Sequence, residues 1–138
     1  MKNLLVLLFG VFLMVSCSND MEDIEYVTLN GYWELSELNG VDVTDGSFIN
    51  FINNSVAEGE TSCNMFSFNC DVDNTKISVR NFAFHSFSTC DISYDLLLEQ
   101  SLKSASDFLI VGNIPCRPQL ILFDRLGNIT SKWYRENK

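Results

Sequence analysis

Cysteine and histidine hold most of the nucleophilic and metal-binding chemistry open to this chain of 138 residues, which has five cysteines and one histidine. Beyond the first of the cysteines lie Cys63, Cys70, Cys90 and Cys116, and the single histidine is His85. A cysteine thiolate beside an imidazole is a nucleophile–base pair. Three or four cysteines with a histidine are a zinc set. The spacing argues against both. Cys63 and Cys70 are too far apart for a Cys-x2-Cys knuckle, and His85 sits in a phenylalanine-rich stretch with the character of a packed strand. Asp71-Val72-Asp73-Asn74 opens like an EF-hand loop, but Lys76 stands where its glycine belongs and Phe82 where its bidentate glutamate belongs. The other carboxylates form no acid/base pair, and neither a glycine-rich phosphate loop nor a Gly-x-Ser-x-Gly elbow is present. The residues thus assign no catalytic group, no metal and no cofactor. An even number of cysteines in an exported chain favours disulfides, with three connectivities open among Cys63, Cys70, Cys90 and Cys116.

Export is the expectation because of Cys17. Lys2 is followed by an almost wholly apolar run, Leu4 to Val15. That run falls short of the roughly 20 residues that span a bilayer, and it reads as a signal peptide. Met14-Val15-Ser16-Cys17 ends it with an apolar, a β-branched and a small residue before the thiol. This resembles a bacterial lipobox, which implies diacylglycerol transfer to Cys17 and cleavage just before it. Residues 1–16 are then the lipoprotein signal peptide, and the lipid on Cys17 is the contact with the membrane, where several acyl chains hold stably. Residues 17–26, rich in Asp and Glu, read as an acidic tether. They also resemble the surface-export signals of some Gram-negative lipoproteins. The expected location is the cell envelope, anchored to the outer membrane at its periplasmic face or at the cell surface.

Loss of Lys2 with the signal would take the formal charge from −9 to −10. So acidic a chain lacks the basic surface that nucleic acid requires and is repelled by anionic headgroups, so no nucleic-acid partner is expected. A monomer is expected, with an envelope protein as the candidate partner.

The remaining residues, 27–138, suffice for one domain. Tyr32 to Leu38 has strand character and ends at Asn39-Gly40, the strongest two-residue hairpin signal. Extended segments follow at Ser47 to Ile52, Ser55 to Glu60 and Thr61 to Cys70. Asp71 to Asn74 reads as turn chemistry. Lys76 to Arg80 alternates, and Phe82, Phe84 and Phe87 continue the apolar character. From Asp91 the period becomes helical: Ile92, Leu96, Leu98, Leu102 and Ala105 approximate one face, Leu97 widens it, Asp91 or Ser93 supplies a cap, and Glu99–Lys103 is an i,i+4 pair. Strands return at Phe108 to Val111, Leu120 to Phe123 and Ile129 to Tyr134. The fold class is therefore α+β: a strongly curved antiparallel sheet, open-barrel-like, with one helix packed against it, since no second helix exists to receive the helix's apolar stripe.

Tyr32-Trp33-Glu34-Leu35 with Leu38-Asn39-Gly40, then Cys63-Asn64-Met65-Phe66-Ser67, then Ser86-Phe87-Ser88-Thr89-Cys90 before the helix, resemble in order the "W-x-L…NG", "C-N-x-F-x-G" and "T-x-M-x-C" motifs of the META domain, or HslJ-like, family. The resemblance covers residues 27 to 136 and rests on Trp33, Asn39, Gly40, Cys63, Asn64, Phe66 and Cys90. Ser62 and Phe68 replace glycines of the pattern, and Ser86 and Ser88 replace its threonine and methionine. The resemblance implies the same curved-sheet fold, an envelope lipoprotein, an accessory or stress-related role, and no catalytic residues. It also implies pairing of Cys63 with Cys90, which leaves Cys70 to pair with Cys116. The aromatic residues Phe66, Phe68, Phe82, Phe84 and Phe87 read first as core. The alternative is an apolar cavity between sheet and helix that binds a lipid or peptide.

Overall fold

A computed structural model describes residues 28–85, 92–112 and 117–136. The lipobox with Cys17, the tether, Phe87, Cys90, Asp91 and Cys116 lie outside the described residues. Nine strands and one helix occur among the described residues: β1 (Gly31–Leu38), β2 (Val41–Asp42), β3 (Phe48–Phe51), β4 (Val56–Glu60), β5 (Met65–Asp73), β6 (Lys76–Phe84), α1 (Ile92–Ser104), β7 (Asp107–Val111), β8 (Gln119–Phe123) and β9 (Ile129–Glu136). All pairings are antiparallel, in the order β2-β1-β3-β4-β5-β6-β7-β8-β9, and β1 also pairs with β9. The sheet thus curves into a ring, though not a regular barrel, with α1 packed against it.

Local chemistry explains the course of the chain. Asn39 (φ 49°) and Gly40 (φ 81°) both adopt the left-handed region, as a two-residue turn between paired Leu38 and Val41 demands. Asn53 Oδ1 accepts the amides of Ser55 (2.7 Å) and Val56 (2.9 Å) and turns β3 into β4. The Asp71–Asn74 turn is displaced: Asp71 to Asp73 belong to β5, which pairs Asp73 with Lys76. Only Asn74, at φ 53°, and Thr75 remain to turn the chain. The extended segment expected from Thr61 to Cys70 is also revised, because Thr61 to Asn64 form a turn. Thr61 Oγ1 accepts the amide of Asn64 at 2.9 Å, and the Thr61 amide reaches the Asn64 carbonyl at 2.8 Å.

β6 carries one change of phase. Ile77 and Val79 share one side, whereas Phe82 and Phe84 occupy it further along. An alternating strand cannot do this without an extra residue. Asn81, at φ 54°, is that residue, at a break in the β5–β6 register. The bulge lets Phe82 and Phe84 join Phe66 and Phe68. Phe66 stacks on Phe82 with centroids 5.3 Å apart, and Phe82 meets Phe84 edge-on at 5.2 Å. Phe51 meets Phe68 edge-on at 6.0 Å. Trp33, Trp133, Leu98, Leu102, Leu120 and Leu122 complete a core in which each is fully buried.

The helix turns only part of the expected face inward: Leu98, Leu102 and Ala105 face the core, whereas Ile92, Leu96 and Leu97 do not. Asp95, Leu98, Ser101 and Leu102 are buried, while Ile92, Leu96 and Leu97 are 63%, 49% and 46% exposed. Residues 95, 98, 102 and 105 keep i, i+3, i+7, i+10 spacing, and the polar members of the stripe have partners. Asn64 Nδ2 donates to Asp95 Oδ2 at 2.5 Å, and Ser101 Oγ donates to the Thr130 carbonyl at 3.2 Å. The Glu99–Lys103 pair forms, at 3.5 Å.

Candidate functional site

Strand alternation sends Trp33, Ile49, Phe51, Ala57, Phe66 and Phe68 inward. The same alternation sends their neighbours to the outer surface. There the register sets Phe48 opposite Glu60, Glu60 opposite Met65, and Glu58 opposite Ser67. Tyr32, one strand over, meets Phe48 with ring centroids 5.8 Å apart. These side chains and His85 line a groove of about 290 Å³ on the outside of β1, β3, β4 and β5. Its floor passes over Gly59, which lies opposite Phe66. A Cβ at Gly59 would stand 2.3 Å from Phe66 Cζ and 2.4 Å from the Phe48 carbonyl oxygen. Glycine is required here because β4 must pass this close to the ring beneath it.

Glu58 and Glu60 project from β4 on either side of Gly59, and both are exposed. Neither makes an ion pair among the described residues. At the far wall Ser67 Oγ and His85 Nε2 are 2.5 Å apart, and the His85 amide donates to the Met65 carbonyl at 2.8 Å. A hydroxyl beside an imidazole is half of a nucleophile–base arrangement. Among the described residues no carboxylate hydrogen-bonds His85 to orient it. The amides of β4 and β5 are directed along the ladder, so they do not converge on an oxyanion position. The arrangement can hold a ligand.

Two polar networks tie the helix to the ring. Asp45 accepts the Ser47 amide at 3.0 Å and the Ser47 hydroxyl at 2.9 Å, so the Tyr94 hydroxyl, 3.0 Å away, donates to Ser47 Oγ. Burial pushes the Tyr94 phenol well above its ordinary range. The second network is Asn64–Asp95. Both networks position α1 and neither opens to the groove.

The motif residues are placed apart. Trp33 is buried and donates its indole N–H to the Leu29 carbonyl at 2.7 Å. Asn39 and Gly40 form the first hairpin, Cys63 and Asn64 form the β4–β5 turn, and Phe66 is core. Cys63 is disulfide-bonded. Cys70 corrects the second expected pairing: it is a free, buried thiol, its Sγ 3.6 Å from the Asn54 carbonyl. An inward position on β5, packed in the core cluster, leaves that thiol among side chains and raises its pKa to about 11, chiefly through burial and secondarily through Asp71. Reasoning from sequence missed the groove residues Tyr32, Phe48, Glu58 and Glu60. The alternation Glu58-Gly59-Glu60 was a usable signal, since it places two carboxylates on one face.

No family model matches the chain, and no curated protein matches it. Solved structures do. A DUF4847 family protein from Bacteroides vulgatus is similar with a TM-score of 0.59 at 13% identity, over 84% of this chain and 99% of that one. A protein from Burkholderia xenovorans is similar with a TM-score of 0.60 at 14% identity, over 85% and 97%. A third, known from an NMR structure, is similar with a TM-score of 0.55 at 19% identity, over 80% and 95%. At these identities the likeness is one of fold.

Proposed function

We propose that this chain is a META/HslJ-like lipoprotein of the bacterial cell envelope, held to the membrane through Cys17, and that its domain is a non-enzymatic binding module for another envelope protein. The lipobox at Met14 to Cys17 and the acidic tether support the anchor. In this reading Cys63 pairs with Cys90 as a structural disulfide.

The single structural observation that favours surface binding is the filled interior. Trp33, Trp133, Phe51, Phe66, Leu98 and Leu102 are fully buried, and the phenylalanine rings stack on one another rather than around a space. That use of the aromatics favours a protein partner met on the outer face over an apolar ligand held between sheet and helix. Metabolic labelling of producing bacteria with an alkyne fatty acid tests the anchor. Label on the wild-type chain and none on Cys17→Ala is the expected result; an unlabelled wild-type chain overturns the reading.

A further inference from the structure

We infer that the outer groove receives a cationic side chain, a lysine ammonium or an arginine guanidinium, carried by an exposed segment of the partner protein. The inference rests on the binding role proposed above and gives that role a chemistry.

Two unlike surfaces meet in the groove. Tyr32, Phe48 and Met65 contribute rings and a thioether, and Met65 is 57% exposed. Glu58 and Glu60 contribute two carboxylates from one face of β4, two residues apart and therefore roughly 7 Å from each other. Neither has a cation near it among the described residues. Among the described residues no lysine or arginine lines the groove, and the Nε2 of His85 is engaged with Ser67.

Each class of ligand meets this surface differently. A neutral apolar group would cover Glu58 and Glu60 and strip their water without supplying a partner, which opposes binding. An anion would be repelled by both. A long basic side chain satisfies both surfaces at once, because its methylene stem lies on the aromatic rings and its charged head reaches the carboxylates. A guanidinium adds stacking on the rings and a two-pronged contact to one carboxylate. The space, about 290 Å³, lies at the lower bound of ordinary ligand pockets and suits one side chain rather than a whole small molecule. The formal charge of −9 draws a basic segment toward the domain and makes the encounter sensitive to salt.

The test uses the isotopically labelled full chain in neutral detergent micelles, followed by amide NMR. It is titrated with three capped tripeptides that differ only in the central residue: Gly-Lys-Gly, Gly-norleucine-Gly and Gly-Glu-Gly. A fourth, Gly-Arg-Gly, separates guanidinium from ammonium recognition. The Lys or Arg peptide is expected to shift the amides of Gly59, Met65 and Ser67 saturably. Norleucine should bind about tenfold more weakly, corresponding to about 1.4 kcal/mol, and the Glu peptide should leave these amides unmoved. Glu58→Gln with Glu60→Gln should remove the preference for Lys over norleucine while leaving the spectrum dispersed. Equal binding of norleucine and Lys overturns the cationic assignment and leaves a binding groove of apolar preference. Groove amides that no peptide moves overturn the site itself. Neither result touches the fatty-acid labelling of Cys17, which judges the anchor separately.

Discussion

The ring is closed in two places by different means. β1 meets β9 along most of the strand, from Tyr32 opposite Glu136 to Leu38 opposite Ser131, with one bulge between Leu35 and Glu37. β6 meets β7 at a single pair, Lys76 opposite Asp107, reinforced by the amides of Phe108 and Ile77, which donate to the carbonyls of Thr75 and Ser106. Behind the first seam lie Trp33, Leu35 and Trp133, and outside it Lys132 pairs with Glu37 at 2.9 Å while Arg117 bridges Glu34 and Glu136. A side-chain hydrogen bond with Glu136, and then burial, raise the Glu34 carboxyl above its usual range, and Arg117 opposes that shift. At the second seam the chain inserts α1, which packs on β6, β9 and β1. One closure is a hydrogen-bonded ladder with a core beneath it. The other is a pinned corner where side-chain packing from a helix takes over.

This contrast orders the expected effects of substitution. Trp33→Ala removes a fully buried indole beneath the laddered seam and should cost about 3–5 kcal/mol, read from urea unfolding. Leu102→Ala cuts the helix's hold on the ring and should cost about 2–5 kcal/mol, toward the lower part of that range. A larger loss for Leu102→Ala than for Trp33→Ala would make the helix, rather than the β1–β9 ladder, the principal closure.

Alkali probes the β5–β6 side of the ring through Cys70. Its thiol is held up to about 11 in the folded chain, from an ordinary value of 9.0, mainly by burial. The folded state thus keeps the proton longer than the unfolded chain does. Its contribution to stability is complete below the unfolded value and is lost as pH rises from about 9 through about 11. Urea midpoints should fall across that window, and Cys70→Ala should flatten the fall. Tyr94, raised in the same direction by burial, leaves a residual decline in that variant. The buried, protonated thiol should also react slowly with iodoacetamide at pH 8, so rapid native-state alkylation would contradict the packing assigned to β5.

The smallest effect belongs to the pinned corner. Lys76 Nζ lies 2.5 Å from Asp107 Oδ1, and Lys76 and Ser106 hold the Asp107 carboxyl below the usual carboxylate range. A lowered folded pKa means that the contact is present above the ordinary carboxylate value and is lost as pH falls through the lowered one. An exposed pair of this kind adds little to global stability. Asp107→Asn should therefore leave the urea midpoint nearly unchanged, yet speed hydrogen exchange at Ile77 and Phe108. Unchanged exchange would show that α1, and not the Lys76–Asp107 contact, holds the corner.

Much of this fold was legible because its signals are local. Asn39-Gly40 specifies its turn through two residues that tolerate positive φ, and alternation along Lys76 to Arg80 marks the start of β6 whatever surrounds it. The helix was legible in extent and, through Leu98, Leu102 and Ala105, in part of its buried face. Its leucines at 96 and 97 looked like core, yet Asp95 and Ser101 are buried in their place, because Asn64 and the Thr130 carbonyl wait across the interface. No property of residues 92–104 alone announces those partners. The groove was illegible for a related reason: its walls come from β1, β3, β4, β5 and His85, and a single step in register would separate them.

What the amino-acid sequence determined by itself is the set of elements, the Asn39-Gly40 turn, the acidic charge and the residues able to fill a core, since each of these follows from neighbours within a few positions. Tertiary structure alone decided that Asp95 rather than Ile92 faces inward, that Cys70 stays a free thiol, that one seam is laddered and the other pinned, and that Glu58 and Glu60 flank an aromatic floor. Those outcomes depend on which distant groups arrive to satisfy a buried hydrogen bond, exclude water or stand opposite in the sheet.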